Sequence, residues 1–266
     1  MQVVGRKFVQ MGILISLITV LALSAQGANF NNASLQGTYS HLTNRCTADA
    51  TDVQMARIGI LTFDGVGNVS NSFTEIIGGQ IMSGTFSGTY AVNSDGTAAI
   101  TWSSSPNQVL FNLNSTVAKV AHGFQYVVTI VSDPYNETNV GEALIQSTTA
   151  ATYSLATLKG TFSFEFDEAT ADSTLVMQGG IGLFTFDGKG NVKGSTRYIA
   201  GGVFQTGTFT GSYLVNPDGT GSISLSNGAQ YAFVLNSLAG KLAKGLQFIQ
   251  TNSTGNAAIS GTALKQ

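Results

Sequence analysis

The sequence predicts an all-β protein made of two tandem antiparallel eight-stranded up-and-down barrels that follow a cleaved leader. Three observations carry that expectation. One stretch of sequence occurs twice at an offset of 123 residues. Within each copy, apolar and polar residues alternate with the two-residue period of half-buried strands. Between those strands stand Asp, Asn and Gly clusters of the kind that close hairpins. Composition agrees: of 266 residues, 43% are hydrophobic and 10% charged, with 32 Gly and 3 Pro. A disordered chain is richer in charge and poorer in apolar residues, and a coiled coil needs far more Glu, Lys, Leu and Ala.

The first element is a leader. Arg6 and Lys7 precede a mostly apolar run from Met11 to Leu23, and small residues follow. A basic start, a short apolar middle and a small-residue cleavage site make a secretory signal over residues 1–27. Cleavage is expected at Ala25-Gln26-Gly27, with Ala22-Leu23-Ser24 as the alternative. The apolar middle falls short of the ~20 residues that span a bilayer. The mature chain is therefore expected to be secreted or periplasmic, without a transmembrane anchor. Losing Arg6 and Lys7 leaves 10 basic and 14 acidic residues, a net charge of -4. That balance argues against a nucleic-acid partner held on a basic surface.

The remainder is one unit written twice, expected to divide at 28–148 and 149–266. Leu35-Gln36-Gly37-Thr38-Tyr39-Ser40 returns as Leu158-Lys159-Gly160-Thr161-Phe162-Ser163. Asp64-Gly65-Val66-Gly67-Asn68-Val69 returns as Asp187-Gly188-Lys189-Gly190-Asn191-Val192, and Gly84-Thr85-Phe86 as Gly207-Thr208-Phe209. From Leu35 to Trp102, 33 of 68 positions are identical to their counterparts. The offset then falls to 122, pairing Lys119, Gly123 and Gln125 with Lys241, Gly245 and Gln247. At the end Gly141, Ala143, Leu144 and Gln146 meet Gly261, Ala263, Leu264 and Gln266. A period this long is a domain, not a solenoid turn.

In the first unit the strands are expected near 37–44, 56–63, 68–77, 83–93, 97–103, 108–114, 123–131 and 140–147. Phe86, Tyr90 and Val92 share one face, as do Phe209, Tyr213 and Val215 in the second copy, and Phe162, Phe164 and Phe166 alternate with polar residues. Ile58–Phe63 and Ile181–Phe186 are apolar on both faces, so their outer sides are expected to be covered, by the other unit in the simplest case. Segments 30–36 and 151–159 are expected to plug barrel ends as short helices or turns. A single sixteen-stranded outer-membrane barrel is the rival. The self-contained repeat and the missing terminal aromatic count against it.

The order Gly-Thr-aromatic-Ser, Phe-Asp-Gly-x-Gly-Asn-Val, Gly-Thr/Ser-Tyr-x-Val-Asn-x-Asp-Gly-Thr and Gly-x-Ala-Leu-x-Gln resembles a group of little-characterised secreted bacterial tandem-repeat proteins. These are similar to calycin-type barrels, in particular that of the allene oxide cyclases. The resemblance covers the whole mature chain, twice, and implies a cup that takes a small apolar molecule. Its motifs are turns and strand faces, so they speak for fold, not activity. The cyclases' catalytic positions match no residues here.

Candidate chemistry is sparse. Each Asp-Gly-x-Gly-Asn turn offers one carboxylate, whereas calcium takes six to eight oxygens, so hairpin turns are expected rather than metal sites. No Lys-Ser/Thr follows the glycines, which excludes a phosphate loop. Glu165, Asp167, Glu168 and Asp172 form an acidic cluster, compatible with a cation site but expected to be a solvated strand end and loop. His122 aligns with Lys244 and is expected to be a solvated base. His41 shares the face of Tyr39 and is expected to point into the first cup, where the second unit has Phe164. Cys46 stands beside Arg45 in a loop, and a single cysteine makes neither an internal disulfide nor a cysteine-rich zinc site. With two histidines, no catalytic triad assembles. No catalytic residue, metal or cofactor is assigned.

The expected function is non-enzymatic binding of a small apolar or amphipathic molecule in a barrel cup or inter-barrel groove. The candidate ligand-binding residues are His41, Tyr39, Phe86, Tyr90, Phe164, Phe209 and Tyr213. The alternative is a structural or interaction protein of the cell envelope that meets another protein or a glycan. A cofactor-free isomerase or cyclase stands behind both.

Overall fold

The computed structural model describes residues 29–44, 54–103, 108–113, 116–117, 120–132, 135–148, 151–170, 178–239, 241–253 and 257–266. The expected leader, Cys46 and Asp172 lie outside these residues. The first copy forms β1 (Gln36–Asn44), β2 (Met55–Asp64), β3 (Asn68–Ile77), β4 (Gln80–Val92), β5 (Thr97–Trp102) and β6 (Gln108–Leu113). A small pair follows, β7 (Thr116–Val117) and β8 (Val120–Ala121), then β9 (Gly123–Ser132) and β10 (Tyr135–Ser147). The second copy forms β11 (Lys159–Thr170), β12 (Gln178–Asp187), β13 (Asn191–Ala200) and β14 (Val203–Val215). It continues with β15 (Thr220–Leu225), β16 (Gln230–Ala239), β17 (Leu242–Gln250) and β18 (Ala257–Lys265).

Each copy closes on itself, in the order β1-β10-β9-β6-β5-β4-β3-β2 and β11 through β18. The structure is therefore two closed eight-stranded antiparallel barrels. Closure removes the exposed edges that would otherwise recruit further strands. Two strands begin earlier than the sequence suggests. β4 starts at Gln80, directly after the Gly78-Gly79 turn, and β10 starts at Tyr135. Residues 135–139 lack apolar alternation, yet Tyr135 to Asn139 pair one for one with Ser132 to Val128. Backbone pairing does not require an apolar face, and that is why the pattern missed them.

The turns use their side chains locally. Asp64 Oδ1 accepts from the backbone N–H of Val66, Gly67 and Asn68 at 2.8–2.9 Å, and Oδ2 from Asn68 Nδ2 at 2.5 Å. Asp187 repeats this with Lys189 and Asn191. Gly65 and Gly188 stand at φ +81° and +78°, where a side chain would be strained. These bonds hold both carboxyls down at about 2. The acids belong to the turns.

One end of each barrel is plugged as expected, by 3-10 turns at Asn32–Ser34 and Leu155–Thr157. Tyr90 OH donates toward Asn32 O and Leu35 O at 2.9 and 3.0 Å, and Tyr213 OH toward Leu155 O and Leu158 O at 3.1 and 2.8 Å. Edge-to-face ring pairs fill the space beneath each plug: Phe63–Tyr90 at 4.9 Å and Phe186–Tyr213 at 5.0 Å.

The barrels meet through an outer face of each. Leu42, Ala56, Ile58, Ile60 and Ile76 of β1–β3 form one buried cluster with Val234, Ile249 and Ala258 of β16–β18. At its edge Gln247 Nε2 donates to Glu142 Oε1 at 3.1 Å. Gln146 crosses from β10 and donates to Asp218 O and Leu235 O, both at 3.1 Å. The other unit thus covers the two-sided strand at Ile58, as expected. The expectation fails for its twin: Ile181 is 60% and Leu183 37% exposed. Ile58 and Ile181 are the same residue at matched positions of β2 and β12, but only β2 has a barrel packed on it.

Candidate functional site

The second barrel is filled by rings. Phe162, Phe164, Phe184, Phe186, Phe209 and Phe248 are all buried in its core. Phe164 stacks on Phe184 with centroids 4.2 Å apart. Close packing of this kind leaves no room for a ligand of ordinary size.

The first barrel differs at the end away from its plug. Inward positions there carry His41 and Thr43 from β1, Arg57 from β2, Asn71 and Glu75 from β3, and Tyr126 from β9. Their counterparts are Phe164, Phe166, Gly180, Gly194, Tyr198 and Phe248. Alternation puts these side chains inside: in β3 Asn71 is buried between exposed neighbours, and Glu75 is buried on the same face while Ile76 turns outward into the inter-barrel cluster. Glycines make the space. A Cβ at Gly59 would stand 2.5 Å from His41 Nε2, and one at Gly182 2.4 Å from Phe164 Cζ.

The polar groups form one connected set. His41 Nε2 lies 2.9 Å from Asn71 Oδ1, so it carries the ring proton and donates to that oxygen. Nδ1 is then the acceptor for Tyr126 OH at 3.2 Å. Thr43 Oγ1 in turn donates to the Tyr126 oxygen at 2.6 Å. Arg57 sits beside them, ion-paired to Glu75 Oε2 at 2.6 Å and lying over the Phe73 ring, 4.6 Å from its centroid. Burial pushes the His41 pKa down to about 3, with the Arg57 guanidinium adding to the effect against the Asn71 bond. Burial raises the Tyr126 hydroxyl. Near neutral pH both rings are uncharged, and the Arg57 and Glu75 charges cancel.

His41, Thr43, Arg57, Asn71 and Tyr126 share a cavity of about 40 Å³ with apolar walls that include Phe86 and Trp102. One water occupies ~10–15 Å³ by the same kind of measure, so the space suits a water or one small chemical group. A broader groove of about 1230 Å³ runs between the barrels, walled by outward residues such as Leu110, Val127 and Leu264, with Glu142 and Glu165 as its charged members.

The structure places the sequence candidates unevenly. His41 and Phe86 line the first cavity. Tyr39 is fully buried and donates to Ala121 O at 2.9 Å, while Tyr90 and Tyr213 hold the plugs. Phe164 and Phe209 belong to the filled core of the second barrel. Thr43, Arg57, Asn71 and Tyr126 are not singled out by the sequence pattern. The signal that finds them is the repeat itself: polar residues at inward positions whose counterparts are Gly, Phe or Tyr.

Of the acidic cluster, Glu165 and Asp167 are exposed, but Glu168 turns inward and burial raises its carboxyl, a correction to the solvated reading. His122 is exposed. Among the described residues no group of three or more His, Cys, Asp or Glu side chains converges as a metal site.

No protein-family model and no curated protein matches the chain. Solved structures resemble it only in outline. One is a protein of unknown function from the DUF3598 family of Nostoc punctiforme, 11% identical, covering 88% of this chain and 98% of that one with a TM-score of 0.29. Another is kievitone hydratase from Nectria haematococca, at 8% identity, 88% and 91% coverage and a TM-score of 0.28. A third is a porin-like protein from Bacteroides uniformis, at 6% identity, 90% and 100% coverage and a TM-score of 0.23. Likeness this slight carries no argument about activity.

Proposed function

We propose that the chain is an exported, non-enzymatic binding protein whose first barrel takes the polar head of a small amphipathic molecule. The second barrel serves as scaffold. One observation carries this reading: at six matched inward positions the first barrel keeps polar side chains where the second has Gly, Phe or Tyr. A polar interior costs stability unless every group is bonded, so a copy that keeps one beside a cavity has a use for it. The cup is electrically balanced, so the head that suits it is an uncharged hydroxyl or carbonyl, with the apolar remainder against Phe86 and Trp102. With His41 uncharged and Tyr126 protonated, the set accepts and donates hydrogen bonds, and the Glu75 carboxylate is tied up by Arg57.

Trp102 is the only tryptophan, so its emission reports the cup directly. Titration with 1-decanol and 2-undecanone should give a saturable shift in Trp102 fluorescence. The shift should vanish in the triple variant His41→Phe, Asn71→Gly, Tyr126→Phe. A linear, unsaturable response in the parent chain would overturn the reading.

A further inference from the structure

The joint between the barrels is heterologous: it uses one face of the first barrel and a different face of the second. Each barrel is a copy of the other, so each face exists twice and only one example of each is covered. Both uncovered examples keep apolar residues, those on the second barrel beside the charged Glu165 and Arg197. On the first barrel, Ile58, Ile60 and Ile76 are no more than 7% exposed, whereas their counterparts Ile181, Leu183 and Ile199 are 37–60% exposed. On the second barrel, Ala232 packs against the joint and Ile249 is fully buried, whereas their counterparts Leu110 and Val127 are 54% and 39% exposed.

We infer that the chain associates head to tail with further copies of itself, by repeating its own inter-barrel joint between molecules. The β11–β13 face of one copy would dock on the β6 and β9 face of the next, which walls the open inter-barrel groove. Likeness of fold supplies the shape argument, since the covered joint is built from the equivalent strands of the two barrels. The differences between the copies are paired. Leu42 and Val234 share the buried cluster, and their counterparts are Glu165 and Asn112, both exposed. Where the repeat loses an apolar pair it gains a carboxylate opposite an amide. Gln146, which crosses the covered joint to Asp218 O and Leu235 O, returns as the exposed Gln266. In the repeated joint Gln266 would reach the Asp95 and Leu113 carbonyls of the next molecule. A heterologous contact of this kind builds rings or filaments rather than a closed twofold dimer.

Sedimentation velocity on the purified chain over a concentration series tests this. Species beyond one chain should populate as concentration rises, and Ile181→Asp or Val127→Asp should each abolish them with circular dichroism unchanged. Mixing the two variants should restore a two-chain species and nothing larger, because each retains the face the other has lost. A parent chain that stays monomeric throughout overturns the inference, as does a mixture that stays monomeric. An assembly broken by Ile181→Asp but untouched by Val127→Asp would mean a twofold contact and also overturns it. The outcome is independent of the cup, whose Trp102 titration stands or falls separately.

Discussion

The two barrels share their turns, plugs and strand order, yet one fills its interior with rings and the other with a bonded polar set. In the second, Phe164, Phe166 and Phe209 occupy the space, and Gly180 and Gly194 leave room for the last two: a Cβ would stand 2.8 Å from Phe166 Cε1 at Gly180 and 2.5 Å from Phe209 Cζ at Gly194. In the first, side chains as large as Arg57 and Asn71 replace those glycines, and smaller residues replace the phenylalanines. Volume is conserved while polarity changes. A barrel of eight strands tolerates either solution, provided that each buried donor and acceptor finds a partner. The difference teaches that closure and plugging specify the fold, and that the interior of one copy was free to specialise.

The comparison breaks most sharply if a single polar residue is moved across. Phe164→His should cost about 3–5 kcal/mol, because it removes a buried ring and leaves an imidazole facing Gly194 and Phe248 with nothing to bond. Denaturant midpoints would register it. A loss under about 1 kcal/mol would show that the second interior is not tightly packed.

Acid should expose the first barrel's interior. His41 has a pKa of about 3 folded against 6.5 unfolded. The unfolded chain therefore binds the proton first as pH falls, and stability is lost from about pH 6.5 downward toward 3. By pH 5 the loss is about 2 kcal/mol, and a His41→Phe variant should lack this component. Melting curves at pH 7.5 and 5 for both proteins would measure it.

Converting the first barrel should cost less. His41→Phe alone leaves Asn71 and Tyr126 short of a partner, at about 1.5 kcal/mol near pH 7. Adding Asn71→Gly and Tyr126→Phe should return most of that while abolishing the Trp102 response. Stability and binding then part company, as they must if the polar set serves binding.

The smallest expected effect is also the one on which the barrels should agree. Asp64→Asn and Asp187→Asn weaken equivalent turns and should lower the melting midpoint slightly and equally. Both carboxyls sit at about 2 when folded, so their contribution is complete above about pH 4 and lost as pH falls through 2. Unequal effects would mean that the turns are not equivalent.

Much of the fold is legible in the sequence because its signals are local. Asp64 and Asp187 bond residues two to four positions away, and Phe86 and Phe209 mark an inward face by alternation alone. The site is harder. Arg57, Asn71 and Glu75 look like ordinary strand residues until register with neighbouring strands puts them inside, and only alignment of the two copies separates them from solvated polar positions. The fate of Ile58 and Ile181 is not legible at all, since identical residues become buried or exposed according to which barrel sits beside them.

The central claim is that the first barrel encloses a neutral imidazole in a bonded polar cup. Long-range proton–nitrogen NMR of the His41 ring tests it most directly. We expect His41 to remain neutral, protonated on Nε2, down to about pH 4. We also expect the His41 nitrogens to shift when 1-decanol is added. A His41 ring that takes up its proton near 6.5 and ignores the alcohol would contradict the account.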